Sequence, residues 1–136
     1  ALSTAAILAI LTCILVTFAL LHLVKNDRAS AHVILFMLFA IQVINAFYHI
    51  FFSFYFSDFS PGAITAALLY LPVNFLIAQA AFREGYLKSY FEYGCIAFLG
   101  TTTFILFEII GPLIIALAII FSLMYYFYFN KRLSNN

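Results

Sequence analysis

The sequence predicts an all-α protein, a polytopic bundle of transmembrane helices. Of the 136 residues, 67% are hydrophobic and 8% are charged, whereas soluble domains are about half apolar and a quarter charged. The apolar residues also form runs close to the ~20 residues that a helix needs to cross a bilayer core of ~30 Å. We therefore expect one transmembrane helical domain over residues 1–136. Both a bacterial plasma membrane and an organellar membrane fit this pattern.

Polar turns separate the apolar runs. The first run ends at KNDR, residues 25–28, and the second ends at SDFSPG, residues 57–62, whose composition favours a turn. The third ends where REGYLKSYFEY restores charge. Because Glu84, Lys88 and Glu92 are spaced four residues apart, we expect that helix to continue past the membrane surface. The predicted spans are residues 2–24, 31–56, 64–82, 94–110 and 112–129.

The last apolar run, residues 94–130, allows two interpretations. A single helix of that length measures about 55 Å, which exceeds one bilayer crossing even with strong tilt. The pair Gly111-Pro112 offers a break that divides the run into two short spans. The sequence thus favours five helices, with four helices and a long Pro-kinked last helix as the alternative.

The distribution of positive charge predicts the orientation, because Lys and Arg collect in cytoplasmic loops. With five spans and an outside N-terminus, every Lys and Arg falls inside: Lys25, Arg28, Arg83, Lys88, Lys131 and Arg132. With four spans, the final pair falls outside. Positive charge also follows the first run rather than preceding it, which indicates a membrane span and not a signal peptide. The predicted topology is N-out and C-in.

A few polar residues lie inside the apolar runs and predict a polar seam through the bundle. An unpaired polar group in hydrocarbon costs a few kcal/mol, so these residues are expected to face other helices. The stripe on the second helix comprises Gln42, Asn45, His49 and Ser53, and the third helix adds Asn74. One interpretation is helix packing through hydrogen bonds. The other is a ligand or proton pathway, in which Asn45 and His49 are shielded from lipid.

Glu108 is the only acid placed well inside an apolar run. An intramembrane ionisable residue is a functional candidate by default, although exposure to water near the outer surface is an alternative here. His49 is expected at a similar depth on its own helix. A His49–Glu108 pair, acting as a proton relay or a ligand contact, is therefore the most specific site hypothesis.

Signals for metal sites and catalysis are weak. His22 and His32 flank KNDR and are possible ligands of a metal or haem, but no third helix supplies a partner, and interfacial histidines beside a basic turn are common. The prediction is therefore no metal site, with any cofactor left open. Cys13 and Cys95 lack CxxC spacing. The sequence has no HExxH, GxSxG or Gly-rich phosphate loop, which favours a protein that is not an enzyme.

A row of small residues on the first helix indicates a packing face. Ala5, Ala9, Cys13 and Thr17 repeat every four residues, so another helix can approach closely, within the monomer or from another subunit. The predicted function is binding, as an accessory subunit of a larger membrane complex or as a lipid or small-ligand binding module. A transporter or channel protomer is the alternative. Membrane lipids are expected partners, and the net charge of +1 argues against nucleic acid.

Overall fold

The computed structural model describes residues 4–25, 27–56 and 61–134, and within these residues the chain is helical without strands. Within these residues five helices follow one another, which confirms the predicted all-α class and the number of helices. They are α1 Thr4–Lys25, α2 Arg28–Tyr55, α3 Pro61–Arg83, α4 Tyr90–Ile110 and α5 Leu113–Ser134.

Asp27 determines where α2 begins. Its side-chain Oδ1 accepts a hydrogen bond of 3.0 Å from the backbone N–H of Ser30. An acidic side chain in this position satisfies one of the backbone donors that every helix leaves unpaired at its N-terminus. The polar turn predicted at KNDR therefore also contains the cap of the second helix, which starts at Arg28 rather than near residue 31.

A π-helical segment, Phe39–Val43, interrupts the α-helical geometry of α2 without ending the helix. Gly100 of α4 lies against this segment. A Cβ atom added at Gly100 would be 3.2 Å from the Ala40 backbone nitrogen and 3.2 Å from the Phe39 Cβ. Glycine thus lets the two backbones approach closely, and the Phe39 ring packs edge-on against Tyr93 with centroids 6.1 Å apart.

The helix α3 ends at Arg83, so the predicted continuation past the membrane surface is wrong. Gly85 adopts a positive φ of 85°, a conformation that ends helices at low cost for glycine. The backbone N–H groups of Tyr86 and Leu87 then donate to the Ala81 carbonyl at 2.9 and 3.2 Å. These bonds close the end of α3 before the chain reaches α4.

A capping box starts α4 at Tyr90, four residues before the predicted start of the span. The Glu92 N–H donates to Ser89 Oγ at 3.2 Å, and Glu92 Oε2 accepts from the Ser89 N–H at 3.2 Å. The same carboxylate oxygen accepts from the Lys88 N–H at 2.5 Å. Glu92 therefore caps a new helix instead of pairing along a continuous one.

The chain breaks again at Gly111-Pro112. The helix α4 ends at Ile110 and α5 begins at Leu113. Gly111 has a φ of 107°, which ends the α-helix, and its N–H donates to the Phe107 carbonyl at 2.9 Å. The alternative of one long Pro-kinked last helix is therefore wrong.

Three helices are long and apolar enough to cross a membrane by length and composition: Ala5–Lys25, Arg28–Tyr55 and Tyr90–Ile110. Among the residues with described side chains, Ala67–Arg83 and Leu113–Tyr128 are shorter apolar helices. The fold is thus compatible with a membrane protein.

The chain forms two compact units. The first unit consists of residues up to Leu35 together with those from Ile105 onward, and the second consists of Phe36–Phe104. In the first unit the buried side chains include Phe18, Ala29, Val33, Ile114 and Tyr126. In the second, the buried side chains include Val43 and Ala46 of α2, Ala67 and Ala78 of α3, and Ile96 of α4.

Candidate functional site

Polar side chains gather in the first unit around the turn between α1 and α2. We call this group the turn cluster, and its members come from three parts of the sequence. They are His22 of α1, Asp27 of the turn, Ser30 and His32 of α2, and Tyr125 and Tyr126 of α5.

The Asp27 carboxylate connects the turn to α5. While Oδ1 caps α2, Oδ2 accepts a hydrogen bond of 3.1 Å from the Tyr126 hydroxyl. The Tyr126 side chain is buried, 6% exposed, and its ring packs edge-on against Phe18 of α1 with centroids 6.3 Å apart. One carboxylate therefore holds α5 beside the start of α2, and the Tyr126 ring adds a contact with α1.

Ser30 lies at the centre of the turn cluster and is 0% exposed. Its hydroxyl donates to the Asp27 backbone carbonyl at 3.0 Å and lies 2.8 Å from His22 Nδ1. A hydroxyl has one hydrogen to donate. With that hydrogen on the Asp27 carbonyl, Ser30 Oγ is the acceptor for the tautomer of His22 that carries its hydrogen on Nδ1.

His32 makes the second connection to α5. Its Nδ1 shares a hydrogen bond of 2.7 Å with the Tyr125 hydroxyl, and the side chain is 5% exposed. The two consecutive tyrosines thus bind two different groups of the α1–α2 region.

The polar side chains of the turn cluster form hydrogen bonds with one another or with the nearby backbone. Among the described residues, no buried side-chain nitrogen or oxygen lacks a hydrogen-bond partner, and full burial of Ser30 keeps its hydroxyl from an external substrate. Within the same residues, no group of three His, Cys, Asp or Glu side chains is placed to hold a metal ion. His22 and His32 instead bind a serine and a tyrosine hydroxyl.

Sequence reasoning identified the two histidines of this cluster and missed its other members. A signal for Asp27 was present, because an Asp followed three residues later by Ser at the start of an apolar run is typical of a helix N-cap. Tyr125 and Tyr126 carry no such signal, since they lie more than 90 residues along the chain from the groups that they bind.

Two residues of the predicted polar seam meet in the second unit. The Asn74 side-chain amide donates to Gln42 Oε1 at 2.9 Å and to the Tyr70 backbone carbonyl at 2.8 Å. Asn74 is buried, and Gln42 belongs to the π-helical segment of α2. The pair joins α2 to α3 and uses hydrogen-bonding groups that would be costly to leave unpaired.

The other residues of the stripe on α2 differ in burial. Ser53 is buried, Asn45 is half-buried and His49 is exposed. The buried face of this part of α2 includes Val43, Ala46 and Ser53, and at 3.6 residues per turn His49 lies at its edge. The described helices of this chain thus leave His49 exposed, and its shielding from lipid stays a prediction. A role for Asn45 or His49 in a ligand or proton pathway stays a prediction.

Glu108 is exposed near the end of α4 and belongs to the first unit, whereas His49 belongs to the second. The His49–Glu108 pair stays a prediction.

The row of small residues on α1 points outward. Ala5, Ala9, Cys13 and Thr17 are all exposed, and the Thr17 hydroxyl donates back to the Cys13 carbonyl at 2.7 Å. Because that bond satisfies the hydroxyl within the helix, the row presents a nearly apolar surface.

A family model described as a protein of unknown function with HXXEE motif matches residues 1–77, which is more than half of the 136-residue chain. No curated protein and no solved structure matches the chain. The three histidines begin the sequences HLVKN, HVILF and HIFFS, at His22, His32 and His49. None of these fits the motif, so these histidines take no role from it.

Proposed function

For a chain that belongs to the family of proteins of unknown function with an HXXEE motif, a description that carries no activity, we propose a function in binding. The protein is a small integral membrane protein that serves as an accessory subunit of a larger membrane complex or as a lipid or small-ligand binding module. The exposure of α1 is the observation that carries this proposal.

The first helix contributes little to the interior of the chain. In an 18-residue window of the apolar stretch Ala5–Lys25, 6% of the residues are buried, compared with 39% in the corresponding window of Arg28–Tyr55. All four small residues of the row are on the exposed side. In a bilayer, small residues let a second helix approach closely enough for extensive van der Waals contact. The uncovered row therefore favours a protein partner over lipid alone.

The polar groups of the chain support binding over catalysis. The histidines of the turn cluster and the Gln42–Asn74 pair form hydrogen bonds within the protein. Groups used in this way stabilise helix packing.

We further propose that all five helices cross the membrane, with the N-terminus outside. The bond between Tyr126 and Asp27 supports an odd number of crossings, because it brings the C-terminal part of α5 beside the α1–α2 turn. The α1–α2 turn and the end of α5 both carry Lys and Arg, as cytoplasmic segments do.

Orientation is tested by cysteine labelling from outside intact cells, in a background with Cys13→Ser and Cys95→Ser. We expect Ser60→Cys, which lies between α2 and α3 in the sequence, to react with a membrane-impermeant maleimide. Glu84→Cys, in the turn after α3, should react only after permeabilisation. The reverse pattern would contradict the proposed orientation, and outside labelling at both positions would contradict the crossing of α3.

The binding function is tested by purification in mild detergent. We expect the wild-type chain to elute with a second component, whether protein or lipid, at a constant ratio. Ala9→Phe places a large ring in the middle of the small-residue row and should lower the retained amount of a protein partner about tenfold or more, since close packing drives helix association in membranes.

The matched control is Ile10→Phe, at the neighbouring exposed position of α1 outside the row. It also adds a ring to the exterior, so it should leave the ratio unchanged. A monodisperse wild-type monomer without a second component would refute the binding function. Equal losses for both variants would refute the row as the contact.

The transport alternative stays a prediction. Of the predicted pathway residues, Gln42 and Asn74 are joined by a hydrogen bond, Asn45 is half-buried, and His49 and Glu108 are exposed.

A further inference from the structure

Glu108 lies on an exposed apolar face of α4. Ile105 precedes it by three residues, Ile109 follows it directly, and Pro112 follows it by four residues in the turn after α4; all three are exposed. We call these four residues the Glu108 face. A carboxylate in such surroundings is unfavourable in a bilayer unless a partner or water compensates its charge.

The length of α4 gives the depth of Glu108. Tyr90 is exposed and Tyr93 is half-buried at the start of the helix, where tyrosines anchor a helix at the level of the lipid headgroups. Glu108 follows Tyr93 by fifteen residues, which corresponds to about 22 Å along the helix. The hydrocarbon core is about 30 Å thick. With α4 and α5 both crossing, Glu108 thus lies in the outer part of the core, about one helical turn before the Gly111-Pro112 turn reaches the opposite surface.

The turn after Glu108 is suited to apolar surroundings. The Gly111 N–H donates to the Phe107 carbonyl at 2.9 Å, and the Gly111 carbonyl accepts from the Ile114 N–H at 3.1 Å. The Pro112 carbonyl accepts from the Ile115 N–H at 3.0 Å, and proline has no N–H to satisfy. A turn that satisfies these groups internally can lie close to the boundary of the hydrocarbon core. Glu108, three residues before Gly111, is the ionisable residue next to this turn.

Along the sequence, no Lys or Arg lies close to Glu108 on either side. The Lys and Arg residues of the chain are at positions 25, 28, 83, 88, 131 and 132, and none lies between residues 89 and 130. In the proposed topology all six lie on the cytoplasmic side, whereas the end of α4 that carries Glu108 faces the outside, so a positive charge beside Glu108 comes from another molecule.

We propose that the Glu108 face docks a transmembrane helix of a partner protein that carries a Lys or Arg inside the bilayer. This inference rests on the proposed binding function and names the chemistry of the partner. A basic side chain on a helix can be placed at the depth of Glu108, whereas the ammonium group of a phospholipid stays at the headgroup level. A protein cation therefore fits this site better than a lipid amine.

The test uses the full chain in phosphatidylcholine vesicles with a designed peptide as the probe. The chain carries a fluorescent donor on Cys95, which is exposed on α4, in a Cys13→Ser background. The probe is a Leu/Ala transmembrane peptide with one Lys at the depth of Glu108, and its matched peptide has Leu there. Energy transfer should show about tenfold stronger association of the Lys peptide, the range found for polar contacts between model helices.

Glu108→Gln should abolish the preference for the Lys peptide. Glu84→Gln removes one acid from the turn after α3, outside α4, and should preserve that preference. A wild-type chain that does not distinguish the peptides, or a preference that survives Glu108→Gln, would overturn the proposal. Loss of the preference in vesicles of phosphatidylethanolamine would assign the carboxylate to a lipid amine and also overturn it.

The peptide assay requires no natural partner, so its outcome is independent of the detergent purification. If the peptide preference is absent while the wild-type chain still elutes with a second component, the binding function stands and the partner uses another surface. If the preference is present and no component co-elutes, the Glu108 face binds cations but the binding function fails.

Discussion

Gly100→Leu is expected to destabilise the second unit more than any other single change considered for this chain. Even the Cβ of a new side chain would lie 3.2 Å from the Ala40 nitrogen and from both Cβ and Cδ1 of Phe39. The rest of a leucine side chain has to displace α4 from the π-helical segment of α2. Overpacking of this kind costs about 3 kcal/mol. Thermal unfolding in detergent should show a clearly lowered midpoint.

Gly94→Leu is the matched control on the same helix. A Cβ at Gly94 meets no atom within 4 Å, and Gly94 is exposed. Replacing glycine inside a helix removes an entropic cost of about 0.5–1 kcal/mol, so this variant should unfold at an equal or higher temperature. If both leucine variants unfold at the wild-type temperature, the close approach at Gly100 does not stabilise the fold.

The number of helices was predictable because each boundary has a local cause. Apolar runs and the turn residues at Gly111-Pro112 are visible in the sequence, and the backbone breaks there as glycine and proline allow. The start of α4 was predicted too late. Glu84, Lys88 and Glu92 have the spacing of a continuous helix, yet Ser89 gives Glu92 the partner of a capping box. The spacing of a continuous helix and the capping box are both present in this segment, and the chain forms the capping box.

The π-helical segment and the polar contacts depend on interactions between residues that are far apart in the sequence. No residue in Phe39–Val43 differs from its α-helical surroundings in a way that predicts the extra residue per turn. Gln42 and Asn74 were identified as polar residues in apolar helices, but their pairing follows from the packing of α2 on α3. The same holds for Asp27 and Tyr126, which are 99 residues apart. Contacts between distant helices require the arrangement of the helices, which local pattern does not give.

Asp27→Ala is expected to have the second large effect, in the first unit. The substitution removes the N-cap of α2, worth about 1 kcal/mol. It also leaves the buried Tyr126 hydroxyl without its acceptor, which costs about 1–3 kcal/mol. The combined loss in the free energy of unfolding should be about 3 kcal/mol, read as a lowered midpoint of thermal unfolding in detergent.

Two further variants separate the cap from the contact with α5. Asp27→Asn keeps an oxygen for the Ser30 N–H and a polar group near Tyr126. It should therefore lower the free energy of unfolding by about 1 kcal/mol. Tyr126→Phe removes the hydroxyl while retaining a ring against Phe18, and should also lose about 1 kcal/mol. Because the two residues share a hydrogen bond of 3.1 Å, the double variant Asp27→Ala/Tyr126→Phe should be less destabilised than the sum of its single changes. Strict additivity would mean that the bond contributes nothing, and that Asp27 stabilises the chain only as the cap of α2.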